Sequence, residues 1–223
     1  RPSAHNRDIS SDFKTHVEDE NQGFSAQLDW QLGDYTLTSI SAWRGWDNTQ
    51  YQDGDRRALL PLTASHDKGT VDYDQYSQEF RLTSPKGQFN EYVLGAFYMH
   101  GTSQETYQRL SVNGGVANSG RADYSTTNDS VALFGENTFN FTDDLRAIFG
   151  LRWTHDDLEY DHRRVSTSPT SVTGIQPSTA SQGSVDEDGW SGRTGLQYDF
   201  NDNLTGYVTY SRGYKGPAYN VFF

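Results

Sequence analysis

In LRAIFGLRWT, residues 145–154, Leu145, Ala147, Phe149, Leu151 and Trp153 alternate with Arg146, Ile148, Gly150, Arg152 and Thr154. A period of two places these sets on opposite faces of a β-strand, one suited to hydrocarbon and the other to water. The same division recurs in Phe24, Ala26, Leu28 and Trp30 against Ser25, Gln27, Asp29 and Gln31. It returns in Trp190, Thr194, Leu196, Tyr198 and Phe200 against Ser191, Arg193, Gln197 and Asp199. Strand signals run along the chain without helical periodicity, and they predict strands at 22–31, 35–46, 75–84, 90–107, 128–141, 145–163, 187–200 and 204–214.

The predicted connections alternate in length. Leu32-Gly33-Asp34, Thr142-Asp143-Asp144 and Asn201-Asp202-Asn203 are tight turns, and SPKGQ at 84–88 is slightly longer. The other three connections span roughly 20 to 28 residues each, a length uncommon inside a compact soluble domain. Short turns at one end and long loops at the other are the pattern of an outer-membrane barrel. Trp30, Tyr35, Phe89, Tyr92, Phe139, Phe141, Tyr198 and Phe200 fall near the short turns. Trp43, Tyr98, Trp153, Trp190 and Tyr210 fall near the long loops, the spacing expected of two aromatic girdles.

Composition agrees with a wall wetted on one side. The 223 residues are only 33% hydrophobic, yet they include 14 Tyr, 12 Phe, 5 Trp and 21 Gly. Mean hydropathy is −0.83. No apolar run is long enough for a transmembrane helix. The absence of Cys excludes disulfides and thiol chemistry, and a net charge of −12 argues against nucleic acid as a partner. Orientation follows from the turns. The first strand runs toward the short-turn side and the eighth runs away from it, so both ends are expected outside the cell. A complete barrel normally has both termini in the periplasm, so the expectation is an internal segment of a larger barrel. Phe223 then follows an outward-running strand and does not read as a barrel-closing signal.

Several phrases resemble the TonB-dependent outer-membrane receptors. They are YTLTSISAWRGWDN at 35–48, SQEFRLTSP at 77–85, NEYVLGAFYMHG at 90–101, ALFGENTFNFTDDLRAIFGLRWTHDD at 132–157 and GLQYDFNDNLTGYVTYSRGYKGPAYN at 195–220. The resemblance implies an all-β antiparallel transmembrane barrel of about 22 strands, of which residues 1–223 supply about eight. It implies a receptor, not an enzyme, in the outer membrane of a Gram-negative bacterium. Such a receptor takes up a scarce small molecule, such as a ferric siderophore or another metal chelate, and requires no cofactor. Its partners would be outer-membrane lipid, the rest of its own barrel, a plug domain, and TonB acting through an N-terminal region with a TonB box. Plug, TonB box and closing strands are absent from these residues.

No nucleophile arrangement, phosphate loop or dinucleotide fingerprint is present. The HDDLEYDH stretch at 155–162 places His155, Asp157, Glu159 and Asp161 on one strand face, a possible divalent-ion set whose default reading is a solvated strand extension. Glu18, Asp19 and Glu20 carry the same default. Arg44, Arg81, Arg146, Arg152 and Arg193 are expected to face the lumen and pair with acids such as Glu79 and Glu136. Ligand contact is expected at the outer ends, with Trp46, Tyr51, Arg56, Arg57, Tyr73, Arg212 and Lys215 as candidates. Two other functions fit parts of the pattern. A stand-alone adhesin or structural barrel requires the first and eighth strands to pair, and a soluble carbohydrate-binding module requires an aqueous surface.

Overall fold

The computed structural model describes residues 11–56, 58, 62–170 and 174–219; the candidate Arg57 and the terminal Phe223 lie outside them. The described chain is one antiparallel meander: β1 (His16–Leu32), β2 (Tyr35–Asp53), β3 (Thr63–Thr83), β4 (Asn90–Asn113), β5 (Val116–Asn140), β6 (Leu145–Ser166), β7 (Thr179–Asn201) and β8 (Leu204–Arg212). Each strand pairs with its sequence neighbours, in the order β1 to β8. Among the described residues β1 does not pair with β8, so the sheet is open and the stand-alone eight-stranded barrel is not formed.

All eight predicted strands are present, but most extend farther from the tight turns than the sequence pattern indicates. β3 begins at Thr63 rather than near 75, and β5 at Val116 rather than near 128. Most of the predicted long-loop sequence is therefore β-ladder. The β4–β5 connection, expected to be a 20-residue loop, is the pair Gly114-Gly115, closed by the register pair Asn113–Val116. Both glycines have positive φ, at 60° and 81°, the requirement of a two-residue hairpin turn that follows the sheet twist. Hydrophobic alternation could not mark these extensions, because polar side chains occupy both of their faces.

Strand register assembles the two faces. Phe24 opposes Trp43, which opposes Tyr76, and Leu37 opposes Leu82, which opposes Leu94. Leu133 opposes Trp153, which opposes Trp190. Phe24, Leu28, Trp30, Phe80, Leu94, Leu133, Phe149, Leu196 and Val208 form an exposed apolar band, while few hydrophobic side chains among the described residues are buried. A soluble sheet inverts this distribution. The inner border carries Phe89, Phe139 and Phe141 in mutual ring contact, with centroids 5.9 to 6.4 Å apart.

The outer border of the band drifts across the register. The line through Trp43 passes Tyr76, His100, Asp129, Asp157 and Asp186. The border aromatics on later strands are instead Trp153 and Trp190, four residues nearer the tight turns, and Tyr210, eight residues nearer. With about 3.3 Å per residue and about 4.8 Å between strands, this drift corresponds to a strand tilt of roughly 30–40°. Closed membrane barrels have tilts of about 35–45°. The outer-border rings keep their polar tips turned outward. Trp43 Nε1 donates to Asp74 at 2.9 Å, Tyr98 to Asp129 at 2.7 Å and Trp153 Nε1 to Asp188 at 3.1 Å.

Candidate functional site

The face opposite the apolar band carries every charge expected to face inward. Arg44, Glu79, Arg81, Glu136, Arg146, Arg152 and Arg193 all fall on it, as alternation and register require. Arg81 pairs with Glu79, and Arg146 with Asp199. Arg193 reaches Glu136 through two hydrogen bonds of 2.7 Å each. These partners sit two strands apart, with Gly150 between them in register. A Cβ at Gly150 would stand 3.2 Å from the Glu136 carboxylate, so the missing side chain keeps the path open. Arg152 makes no such fork. Its guanidinium lies over Phe97 and Phe134, 5.3 and 5.5 Å from their centroids. Phe134 in turn covers Gly95, its register partner.

Of the candidate ligand residues, the structure brings together Trp46 and Tyr73, which oppose each other on the polar face. Trp46 donates its indole N–H to Asp19, and the Tyr73 ring lies against Gly101. Tyr51 occupies the other face and stacks on His16 at 4.3 Å. Arg56 sits in the β2–β3 connection with a φ of 54°, its N–H donating to Asp53 at 2.9 Å. Arg212 ends β8 in register with Gly192, on the apolar side. Lys215 belongs to a segment that crosses back over the polar face, where Tyr214 covers Gly189 and the Tyr219 ring lies 3.8 Å from that of Tyr160. The six candidates among the described residues therefore do not form one cluster.

Farther out, sequence reasoning missed a set of residues on the same face. Arg109 grips Asp67 with bonds of 2.7 and 2.8 Å, reaches the Tyr107 hydroxyl at 2.9 Å, and donates to the Gly174 carbonyl at 3.2 Å. That last bond draws the β6–β7 connection over the sheet, where Ile175 is completely buried. Asn48, Gln50, Asp67, Glu105, Tyr107 and Tyr124 line a recess of about 140 Å³. Burial pushes both phenols above the ordinary tyrosine range, so they act as neutral hydrogen-bonding groups at physiological pH. Period-two reading of the extended β3, β4 and β5 would have placed these side chains on one face. The cue was hidden because the strands were ended too early.

The 155–162 stretch does not gather into a metal site. His155 approaches Asp188 at 3.1 Å, while Asp157, Glu159 and Asp161 follow it along one solvated face. Among the described residues the possible three-ligand group is Asp12, Asp53 and His66, none of which the sequence singles out.

Solved structures share this architecture. The ferric yersiniabactin uptake receptor FyuA from Yersinia pestis superposes with a TM-score of 0.72 at 16% identity, over 90% of this chain and 29% of its own. The siderophore receptor PiuA from Acinetobacter baumannii gives 0.63 at 15%, over 89% and 32%. The closed form of the ferric-catecholate import receptor Fiu from E. coli K12 gives 0.63 at 14%, over 88% and 33%. The chain thus spans about a third of the length of these receptors. Its sequence matches the family described as "TonB dependent receptor-like, beta-barrel" over residues 2–223. With eight tilted strands, an apolar band on one face and a charged ladder on the other, this chain belongs to the TonB-dependent receptor β-barrel family.

Proposed function

We propose that the chain forms part of the barrel wall of a Gram-negative outer-membrane receptor that imports a scarce ligand such as a ferric siderophore. The single observation that carries this reading is the apolar band on one face of the eight-stranded sheet, opposite the face that carries the charged ladder. An apolar band meets lipid, and the face bearing Arg44, Glu79, Arg81, Glu136, Arg146, Arg152 and Arg193 turns to the lumen. In that setting the arginine–carboxylate ladder holds charge in a wet interior and presents it to a plug domain. TonB would energise the cycle through that domain. Trp46 and Tyr73, register partners beyond the ladder, would stack on an aromatic chelate arriving from outside. An exposed apolar surface of this extent speaks against a soluble carbohydrate-binding module.

The test is uptake of radioactive iron by iron-limited cells lacking the parent gene, supplied with catecholate, hydroxamate and phenolate ferric siderophores in turn. The expected result is loss of uptake from one chelate class, reproduced by loss of TonB. In the restored receptor, Trp46→Ala with Tyr73→Ala should weaken binding of that chelate by about tenfold, as loss of an aromatic anchor does. Unchanged uptake of every chelate would reject the siderophore reading.

A further inference from the structure

Three separate stretches of chain meet at the outer end of β2 and β3. Asp53 and His66 are the last register pair of these strands, so their side chains are neighbours on one face. The segment before β1 lies against them. Phe13 stacks on the His66 ring at 4.4 Å, and the Asp12 carboxylate meets His66 Nε2 at 2.8 Å. Ser11 donates its hydroxyl to Asp53 at 2.6 Å, and Asp53 donates its N–H to the Thr15 hydroxyl at 3.2 Å. One ligand atom each from Asp12, Asp53 and His66 lie within 4.8 Å of one another. We infer that Asp12, Asp53 and His66 form a binding site for a first-row divalent metal ion of the zinc class, clamping the segment before β1 to the outer end of β2 and β3.

Donor chemistry and burial both support this assignment. One imidazole nitrogen with two carboxylates suits zinc and its neighbours, whereas calcium and magnesium favour all-oxygen sets. The His66 and Asp12 side chains are only 13% and 11% exposed. Among the described residues, Asp12 Oδ2 is fully buried without a hydrogen-bond donor. A buried carboxylate oxygen left in this way is costly, and a cation beside it removes the cost. Asp53 lies ten residues outward of Trp43, about 25 Å beyond the apolar border at the tilt derived above. The ion would therefore be a structural clamp in the external medium, separate from any cargo in the lumen.

The test uses the whole receptor in detergent, stripped with chelator and titrated with Zn²⁺ alone. Wild type should retain one more zinc per chain than each of His66→Gln, Asp12→Asn and Asp53→Asn, with folding checked by heat-modifiable gel mobility. Ca²⁺ should show no such difference. Equal zinc in wild type and the folded variants, or a difference for Ca²⁺ alone, overturns the proposal. Crystals of the wild-type receptor grown with Zn²⁺ make the test independent of any variant. An anomalous zinc peak between the three side chains supports the site, and no peak there refutes it.

Discussion

Two glycines on the polar face serve unlike neighbours. Gly150 borders the Glu136 carboxylate, the far end of a flexible and partly exposed side chain. Gly95 lies under the Phe134 ring, which also supports the Arg152 guanidinium. A methyl group at 150 can be met by a swing of Glu136, and an exposed ion pair contributes little. A branched side chain at 95 must displace a ring held on both sides. Gly95→Val should therefore cost about 1–3 kcal/mol, the range for overpacking, and Gly150→Ala less than about 1 kcal/mol. Thermal midpoints of the two receptors by heat-modifiable gel mobility check the order, and a larger loss at 150 would contradict it. The polar-face set was legible in the sequence because each arginine stands one residue from a side chain of the opposite face. Their partners were less so, since Glu136 and Arg193 meet only when register places Gly150 between them.

Individual strands were readable where lipid wets one face and water the other. Beyond the outer aromatics, stretches such as Tyr124-Ser125-Thr126-Thr127-Asn128 are polar on both sides and carry no alternation, although β5 runs straight through them. There the ladder itself and the β-branched residues sustain the strand. One local cue did exist, because Asn113-Gly114-Gly115-Val116 has the form of a two-residue hairpin turn. Both central residues need positive φ, which costs an ordinary L-residue about 1–2 kcal/mol each. Replacing Gly114-Gly115 with Ala-Ala should thus destabilise the hairpin by about 2–4 kcal/mol, while Asn-Gly is tolerated. Hydrogen exchange of the outer β4–β5 amides reads this directly. Equal protection in the two variants would mean that the turn does not govern the hairpin. The same limit concealed Asp53 and His66, which the β2–β3 register unites, and Asp12, which the segment before β1 brings against them.

For the molecule as a whole, the drift of the aromatic border against the register is the strongest geometric statement the sheet makes. Tyr76 and Asp157 lie on one register line, so in an upright sheet they would sit at the same depth. With tilted strands Tyr76 stays at the border, whereas Asp157 stands four residues outward of Trp153. Four residues are about 13 Å along the strand, and at a tilt of roughly 30–40° this raises position 157 about 10 Å above position 76. The chain contains no cysteine, so Tyr76→Cys or Asp157→Cys introduces the only thiol in this stretch for a nitroxide label. In the receptor reconstituted into bilayers, collisions with oxygen should dominate at 76 and collisions with a water-soluble nickel chelate at 157. Equal accessibility at the two positions would remove the tilt, and with it the stagger that a closed membrane barrel requires.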